Sequence, residues 1–257
     1  MQLPSSANPI GFRFVELQSV DSTNKYAMSL VHAGMAQHGV IIFAHNQTDG
    51  KGQRGKNWLA EKGANITLSI IIKPFSLSVS EQFKLSVCAA VSVMEFFSIY
   101  AVDESKIKWP NDLYWRDRKA GGVLIENVVM SNKSGAGSWE WSVIGIGINI
   151  NQTSFPVDLP NPVSLKQITG KNFVPTELAK ELCAVFDKNF QVLIEGNFAG
   201  LFSIYQAHLY KKDEKVKLKK GSRVFEASIK AVAETGQLIT QHVIEERFDF
   251  GEVEWVL

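Results

Sequence analysis

Apolar residues along this chain fall into two rhythms that predict alternating strands and helices. Val40-Ile41-Ile42-Phe43-Ala44 is a short continuous apolar run, the pattern of a strand buried on both faces. Phe12 to Leu17 and the β-branched stretch Asn65 to Lys73 read as further strands. Between the first two of these the pattern predicts a helix, capped near Asp21 or Ser22 and stopped near Gly34. From Ser80 to about Tyr100, Phe83, Val87, Ala90, Val91, Met94 and Phe97 recur at helical spacing, which predicts a long helix whose stripe enters the core. Ile107 to Trp109, Gly122 to Val129 and Trp139 to Ile150 read as strands. The last two flank a Ser/Gly/Asn-rich stretch, residues 131–138, and predict an antiparallel hairpin. Residues 152–172 are broken by prolines and read as irregular. Helical spacing resumes over Glu177–Glu195 and Phe198–Tyr210.

Past Tyr210 the rhythm shortens. A charged connector, Lys211-Lys212-Asp213-Glu214-Lys215, leads into alternating segments around Lys217–Lys219, Val224–Ala227, Gln237–Thr240 and Glu252–Trp255, punctuated by Gly221, Gly236 and Gly251. So small an all-β module needs a larger neighbour to pack on. The expected organisation is a loose segment over 1–11, an α/β (α+β) domain over 12–210 and a β module over 211–257.

Composition narrows the field by exclusion. The formal net charge of +1 gives no global attraction to DNA, a membrane surface or an acidic partner, so any basic site must be local. The only two cysteines, Cys88 and Cys183, sit in apolar helical stretches and read as buried free thiols. No leader pattern opens the chain, and no apolar run is read as reaching bilayer length, which makes the cytoplasm the expected compartment.

Two segments carry chemistry. In Lys108-Trp109-Pro110-Asn111-Asp112-Leu113, Pro110 fixes its own φ and biases Trp109 away from helix, so a stiff turn presents an amide and a carboxylate at a strand end. Lys119 arrives one short hairpin later. Upstream, Gly50-Lys51-Gly52-Gln53-Arg54-Gly55-Lys56-Asn57-Trp58 follows a strand. It contains a bare G-x-G-x-x-G, but no helix opens after it and no Gly-Lys-Ser/Thr ends it, so neither a Rossmann fingerprint nor a P-loop fits. What remains is a flexible backbone with three cations, suited to an anionic ligand or equally to a solvated hairpin tip. Ser22, Thr23, Asn24 and Gln47 offer hydroxyls and amides that match either a helix cap or a neutral polar ligand group. Gly145 and Gly147 alternate with isoleucine, which points to a ligand or another backbone lying close on that strand. The five histidines form neither a metal spacing nor a triad.

Together, Val20–Asn24, Gly50–Trp58, Lys108–Leu113, Asp117–Gly122 and Gly145–Asn151 resemble the biotin–protein ligases in order and spacing, over roughly residues 12–151. The resemblance implies the mixed-sheet fold shared with class II aminoacyl-tRNA synthetases, followed by a C-terminal SH3-like barrel. It implies an ATP-dependent, AMP-forming reaction that makes biotinyl-5'-AMP and transfers biotin to a lysine of a biotin carboxyl carrier protein, such as an acetyl-CoA carboxylase subunit. ATP and Mg²⁺ would be co-substrate and activating ion, with no tightly bound prosthetic group. Carried over by position, Ser22, Thr23, Asn24, Gln47, Gly50, Lys51, Gly52, Gln53, Lys119 and Gly122 fall on the biotin side. Arg54, Gly55, Trp58, Asn111, Asp112 and Asn149 fall on the ATP side, and Lys119, Asp112 and Arg54 are the residues expected in catalysis. The glycine loop is expected to be mobile without ligand.

This chain departs from the family pattern at Lys51 and Gln53, where arginine is common; lysine loses the bidentate fork and glutamine loses the charge as well. Only about a dozen residues precede the core-like region, far too few for the helix-turn-helix domain of repressing members, so no DNA partner is expected. A homodimer is left open. The competing readings are a lipoate–protein ligase-like enzyme and a non-catalytic biotin-binding protein.

Overall fold

The computed structural model describes residues 8–102, 104–131, 137–157, 159 and 161–256. A seven-stranded mixed sheet organises the larger part: β1 (Arg13–Leu17), β2 (Val40–Ala44), β3 (Ile66–Ile72), β4 (Ser105–Lys108), β5 (Asp112–Trp115), β6 (Arg118–Ser131) and β7 (Gly137–Ile148), in the order β1-β2-β3-β7-β6-β5-β4. Only β1 and β2 run parallel; the other pairs are antiparallel. The expected hairpin is the β6–β7 pair, while residues 132–136 of its loop lie outside the described residues.

Strand alternation gives the sheet two faces. Ile66, Leu68, Ile70 and Ile72 pack with Ile144, Ile146 and Ile148 into the main core, covered by α2 (Gln82–Ala101), α4 (Pro175–Ile194) and α5 (Phe198–Ala207). Fully buried Phe96, Phe97, Phe186 and Phe190 anchor that layer, each contributing about 1.5–3 kcal/mol by removal from water. On the opposite face Ile42, Ile71 and Val143 pack with Ala27 and Val31 of α1 (Thr23–His32). That second cluster is small because α1 covers only part of the face, and the uncovered part holds the site.

The C-terminal strands β8 (Lys215–Lys220), β9 (Arg223–Val232), β10 (Leu238–Gln241), β11 (Glu245–Phe248) and β12 (Glu254–Val256) form an antiparallel sheet in the order β11-β10-β9-β8-β12, consistent with an SH3-like module. Ile229, Val232, Leu238, Phe248 and Val253 belong to the main core cluster, so the small sheet is packed on the larger domain as its size demands.

Four expectations need correction. Residues 152–172 hold a short helix, α3 (Leu165–Thr169), opened by a capping box of Ser164 and Gln167 and closed by left-handed Gly170. β11 has no apolar alternation to announce it, since Glu245-Glu246-Arg247 are charged; it forms by pairing with β10. Within the segment expected to be loose, Ile10 is 6% exposed and its N–H donates to Asp187 at 2.8 Å. Finally, α2 with its preceding turn is long and apolar enough to cross a bilayer by length and composition, yet its residues are mostly buried between the sheet and α4. Its hydrophobicity all round is that of a core helix.

Candidate active site

The exposed half of the α1 face is built by register. Lys108 pairs with Asp112 across β4–β5, Asp112 with Gly122 across β5–β6, Gly122 with Gly147 across β6–β7, and Gly147 with Thr67 across β7–β3. Directly opposed residues share a face, so this row runs across the sheet as lysine, carboxylate, glycine, glycine, threonine. The two glycines lower the floor. A cavity of about 560 Å³ opens above it, lined by residues of the β5–β6 hairpin, α1, the glycine loop and the C-terminal module.

Lys119 Nζ lies 2.7 Å from Asp112 Oδ2 at the centre of this floor. A Cβ on Gly122 would stand 2.9 Å from Asp112 Oδ1 and 3.5 Å from Lys119 Nζ, so glycine there leaves the pair its room. The turn carrying Asp112 is held from two sides. Tyr205 of α5, its ring fully buried, donates its hydroxyl to the Pro110 carbonyl at 2.7 Å, and Trp109 Nε1 donates to the Gly236 carbonyl at 2.9 Å. The 109–110 peptide is cis.

At the other end of the cavity the start of α1 forms a pre-set polar cluster. Gln47 Oε1 accepts from the Thr23 N–H at 2.8 Å and from the Thr23 hydroxyl at 3.1 Å. Ser69 donates its hydroxyl to Asn24 Oδ1 at 2.6 Å and lies 2.8 Å from the Thr23 hydroxyl, and Asn24 Nδ2 donates to Glu126 at 2.8 Å. Ser22 is the N-cap residue but makes no capping bond with its side chain. Such interlocking fixes rotamers before any ligand arrives.

The glycine loop is a closed hairpin. Gly52 N–H donates to the Lys56 carbonyl and Trp58 N–H to the Gly50 carbonyl. A Cβ on Gly50 would press on the Trp58 carbonyl and one on Gly52 would lie 3.2 Å from the Lys56 carbonyl oxygen, while one on Gly55 would meet nothing within 4 Å. Gln53 Nε2 donates to Asn111 Oδ1 at 2.5 Å and to the Val123 carbonyl at 3.0 Å, tying the loop to the sheet. Lys51 pairs with Asp49, which also binds Lys25. Those two lysines hold the Asp49 carboxyl down at about 2. Arg54, at φ 56°, reaches to Glu254 of β12 at 3.6 Å.

The alternating glycines of β7 do mark a close approach, but by side chains rather than a backbone. A Cβ on Gly147 would fall 2.7 Å from Trp58 Cζ2 and Nε1, and one on Gly145 would fall 2.9 Å from Asn24 Cγ. The Trp58 indole therefore lies directly on the β7 backbone.

Of the sixteen residues singled out from sequence, Ser22, Thr23, Asn24, Gln47, Lys51, Gly52, Gln53, Arg54, Trp58, Asp112, Lys119, Gly122 and Asn149 line the cavity. Gly50, Gly55 and Asn111 do not; Asn111 is buried behind Gln53. Asn149 is also structural, donating to the Val163 carbonyl at 3.1 Å. Sequence reasoning missed Lys108, Tyr114, Phe250, Val253 and Trp255 as wall residues. Period-two alternation could have placed Lys108 and Tyr114 on the face of Asp112; the approach of Trp255 carried no local signal.

A model of the Biotin/lipoate A/B protein ligase family matches residues 16–149. Bifunctional ligase/repressor BirA of Bacillus spizizenii is 27% identical over 202 residues, covering 77% of this chain and 60% of that protein. The chain thus spans less than two thirds of that relative. The biotin–[acetyl-CoA-carboxylase] ligase of Paracoccus denitrificans is 25% identical over 230 residues, covering 87% of this chain and 92% of that protein. Among solved structures, biotin protein ligase from Aquifex aeolicus in complex with biotin and ATP superposes with a TM-score of 0.78 at 24% identity, covering 95% of this chain and 99% of that one. That likeness extends the shared fold through the C-terminal sheet. With the matched segment running from β1 to the end of β7, and so through both the glycine loop and the Lys119–Asp112 pair, the chain belongs to the biotin/lipoate A/B protein ligase family.

Proposed function

We propose that this chain is an ATP-dependent biotin–protein ligase, which makes biotinyl-5'-AMP and passes biotin to a lysine of a biotin carboxyl carrier domain. The observation that carries the reading is the Lys119–Asp112 pair, set on a glycine-lowered floor between a neutral polar cluster and a half-buried indole. The relatives named above support biotin over lipoate, as does the complex of the Aquifex aeolicus enzyme with biotin and ATP. The catalytic part is residues 12–210, the SH3-like module residues 211–257, and the buried unpaired thiols of Cys88 and Cys183 suit a cytoplasmic protein.

In the first step a biotin carboxylate oxygen attacks the α-phosphorus of ATP. A P–O bond forms to the carboxylate, and the bond to the bridging oxygen breaks to release pyrophosphate. Both reactants are anions, so the protein must hold them together and offset their charge. Gln47 spends Oε1 on Thr23, which leaves Nε2 as a donor for the ureido carbonyl, beside the Ser22 and Thr23 hydroxyls. Lys119 serves the carboxylate and the α-phosphate, exchanging Asp112 for the ligand. Trp58 supplies a face for adenine, its indole backed by the β7 strand at Gly147. Gln53 acts as a tether where relatives carry charge, and Lys51, Arg54 and Lys56 remain as loop cations on the cavity wall.

The carboxylates on that wall, Asp112 and Glu254, suit a Mg²⁺ that arrives with the triphosphate, and no cluster of three metal-binding side chains occurs among the described residues. Such an ion would neutralise phosphate charge, with Asp112 the residue to hold it. In the second step the carrier lysine amine attacks the acyl carbon, AMP leaves, and Asp112 orients the amine and takes its proton. Intact-mass analysis of a recombinant biotin carboxyl carrier domain, after incubation with this chain, biotin, ATP and Mg²⁺, tests the reading. One biotinyl group per domain supports it. Modification by lipoate instead, or none, refutes it.

A further inference from the structure

Lys108 is the charged group in this cavity that the mechanism above leaves unused. It is 8% exposed, yet no carboxylate lies within ion-pair distance among the described residues. Its Nζ sits 3.2 Å from the Tyr114 hydroxyl, 4.9 Å from the centre of the Tyr114 ring and 5.0 Å from that of Trp255 in the C-terminal module. Tyr114 cannot serve as a counter-anion, because burial pushes its phenol further up and keeps it neutral. The aromatic faces favour a cation without cancelling its charge. A buried ammonium in this state is costly, and burial, with Lys119 and Lys56 nearby, brings Lys108 down to about 8 despite Asp112.

We propose that the Lys108 cage, walled by Tyr114 and Trp255, binds the β- and γ-phosphates of ATP and holds the pyrophosphate as it leaves. The inference rests on the adenylating function proposed above and adds the position of the leaving group. Phosphoryl transfer places attacking and leaving oxygens roughly in line through phosphorus. The ureido cluster stands over β2, β3 and β7, and the Lys119–Asp112 pair stands over β5 and β6. Attack from the first side therefore drives the leaving group toward β4, the next strand outward. Neighbouring strands are about 4.8 Å apart, comparable to the step from the α-phosphate to those that follow it. Lys108 lies on β4, in the same row as Asp112. The C-terminal module thus enters the site through Trp255, which closes the cage from above.

Binding to inorganic pyrophosphate and to AMP, measured by calorimetry on the full chain, tests this without requiring a reaction. In Lys108→Met the affinity for pyrophosphate should fall at least tenfold and that for AMP stay within about twofold. The thermal midpoint should hold or rise, because an unpaired buried charge has gone. Trp255→Leu, which opens the cage and keeps the charge, should weaken pyrophosphate less. Unchanged pyrophosphate affinity in Lys108→Met overturns the proposal, and so does an equal loss for AMP, which would put Lys108 at the α-phosphate. Wild-type pyrophosphate binding without biotin-dependent turnover would leave the anion site standing and refute the ligase reading alone.

Discussion

Replacing Gly147 with alanine isolates the role given to Trp58. The new Cβ would lie 2.7 Å from Trp58 Cζ2 and Nε1, against the 3.5–4.0 Å at which carbon atoms pack best, so the ring must retreat by about 1 Å. Overpacking of that size costs about 1–3 kcal/mol where the neighbours cannot yield. Trp58 is half-buried at the end of a loop, so it yields, and the cost passes to whatever stacks on the displaced ring. One to three kcal/mol corresponds to about 5- to 150-fold in a binding constant. Steady-state pyrophosphate exchange should therefore show the KM for ATP raised about fivefold or more. The KM for biotin should stay within about twofold, and the melting temperature should be nearly unmoved. Gly145→Ala is the matched contrast. Its Cβ would press on Asn24 and disturb the Ser69–Asn24–Glu126 chain, so the KM for biotin should rise and that for ATP should not. An unchanged KM for ATP in Gly147→Ala, or equal effects on both substrates in both variants, would refute this division of the floor.

Tyr205→Phe strips the Pro110 carbonyl of a buried donor, a loss of about 1–3 kcal/mol that should lower the melting temperature by about 2–10 °C; no change would mean the turn is held elsewhere. Asp112→Asn should slow transfer from preformed biotinyl-adenylate by about 100-fold and adenylation less, and equal losses would reduce Asp112 to positioning Lys119. His38 accepts the Lys73 N–H on Nδ1 between Phe75 and Phe190, and burial brings it down to about 4. From pH 6.5 to 4 the unfolded chain therefore binds a proton that the folded one refuses. Stability should fall by about 3 kcal/mol as pH drops through that window, read by urea titration, and His38→Leu should flatten the slope.

How much of this could be read from sequence depends on the range of the interaction involved. Period-two and helical patterns located β1–β3, β6, β7 and the long helices because burial on one face is written locally. The Lys108–Leu113 turn was legible for the same reason, since Pro110 and its neighbours set it by themselves. Three features were hidden because tertiary pairing makes them. Charged β11 is a strand only beside β10. Arg54, expected among the catalytic residues, spends its charge in part on Glu254, two hundred residues away. Gln53, conspicuous for its lack of charge, proves to be a tether to Asn111 and Val123, a role that no motif announces. The alternating glycines of β7 pointed to a close approach by a ligand or another backbone; the structure brings the Trp58 and Asn24 side chains there, partners that the spacing alone does not name.

Biotin-dependent exchange of labelled pyrophosphate into ATP by the purified chain, run beside Lys119→Ala and with lipoate in place of biotin, tests the central claim most directly. Exchange is expected with biotin, none with lipoate, and loss in the variant although it folds. Exchange with lipoate, or undiminished exchange by Lys119→Ala, would contradict it.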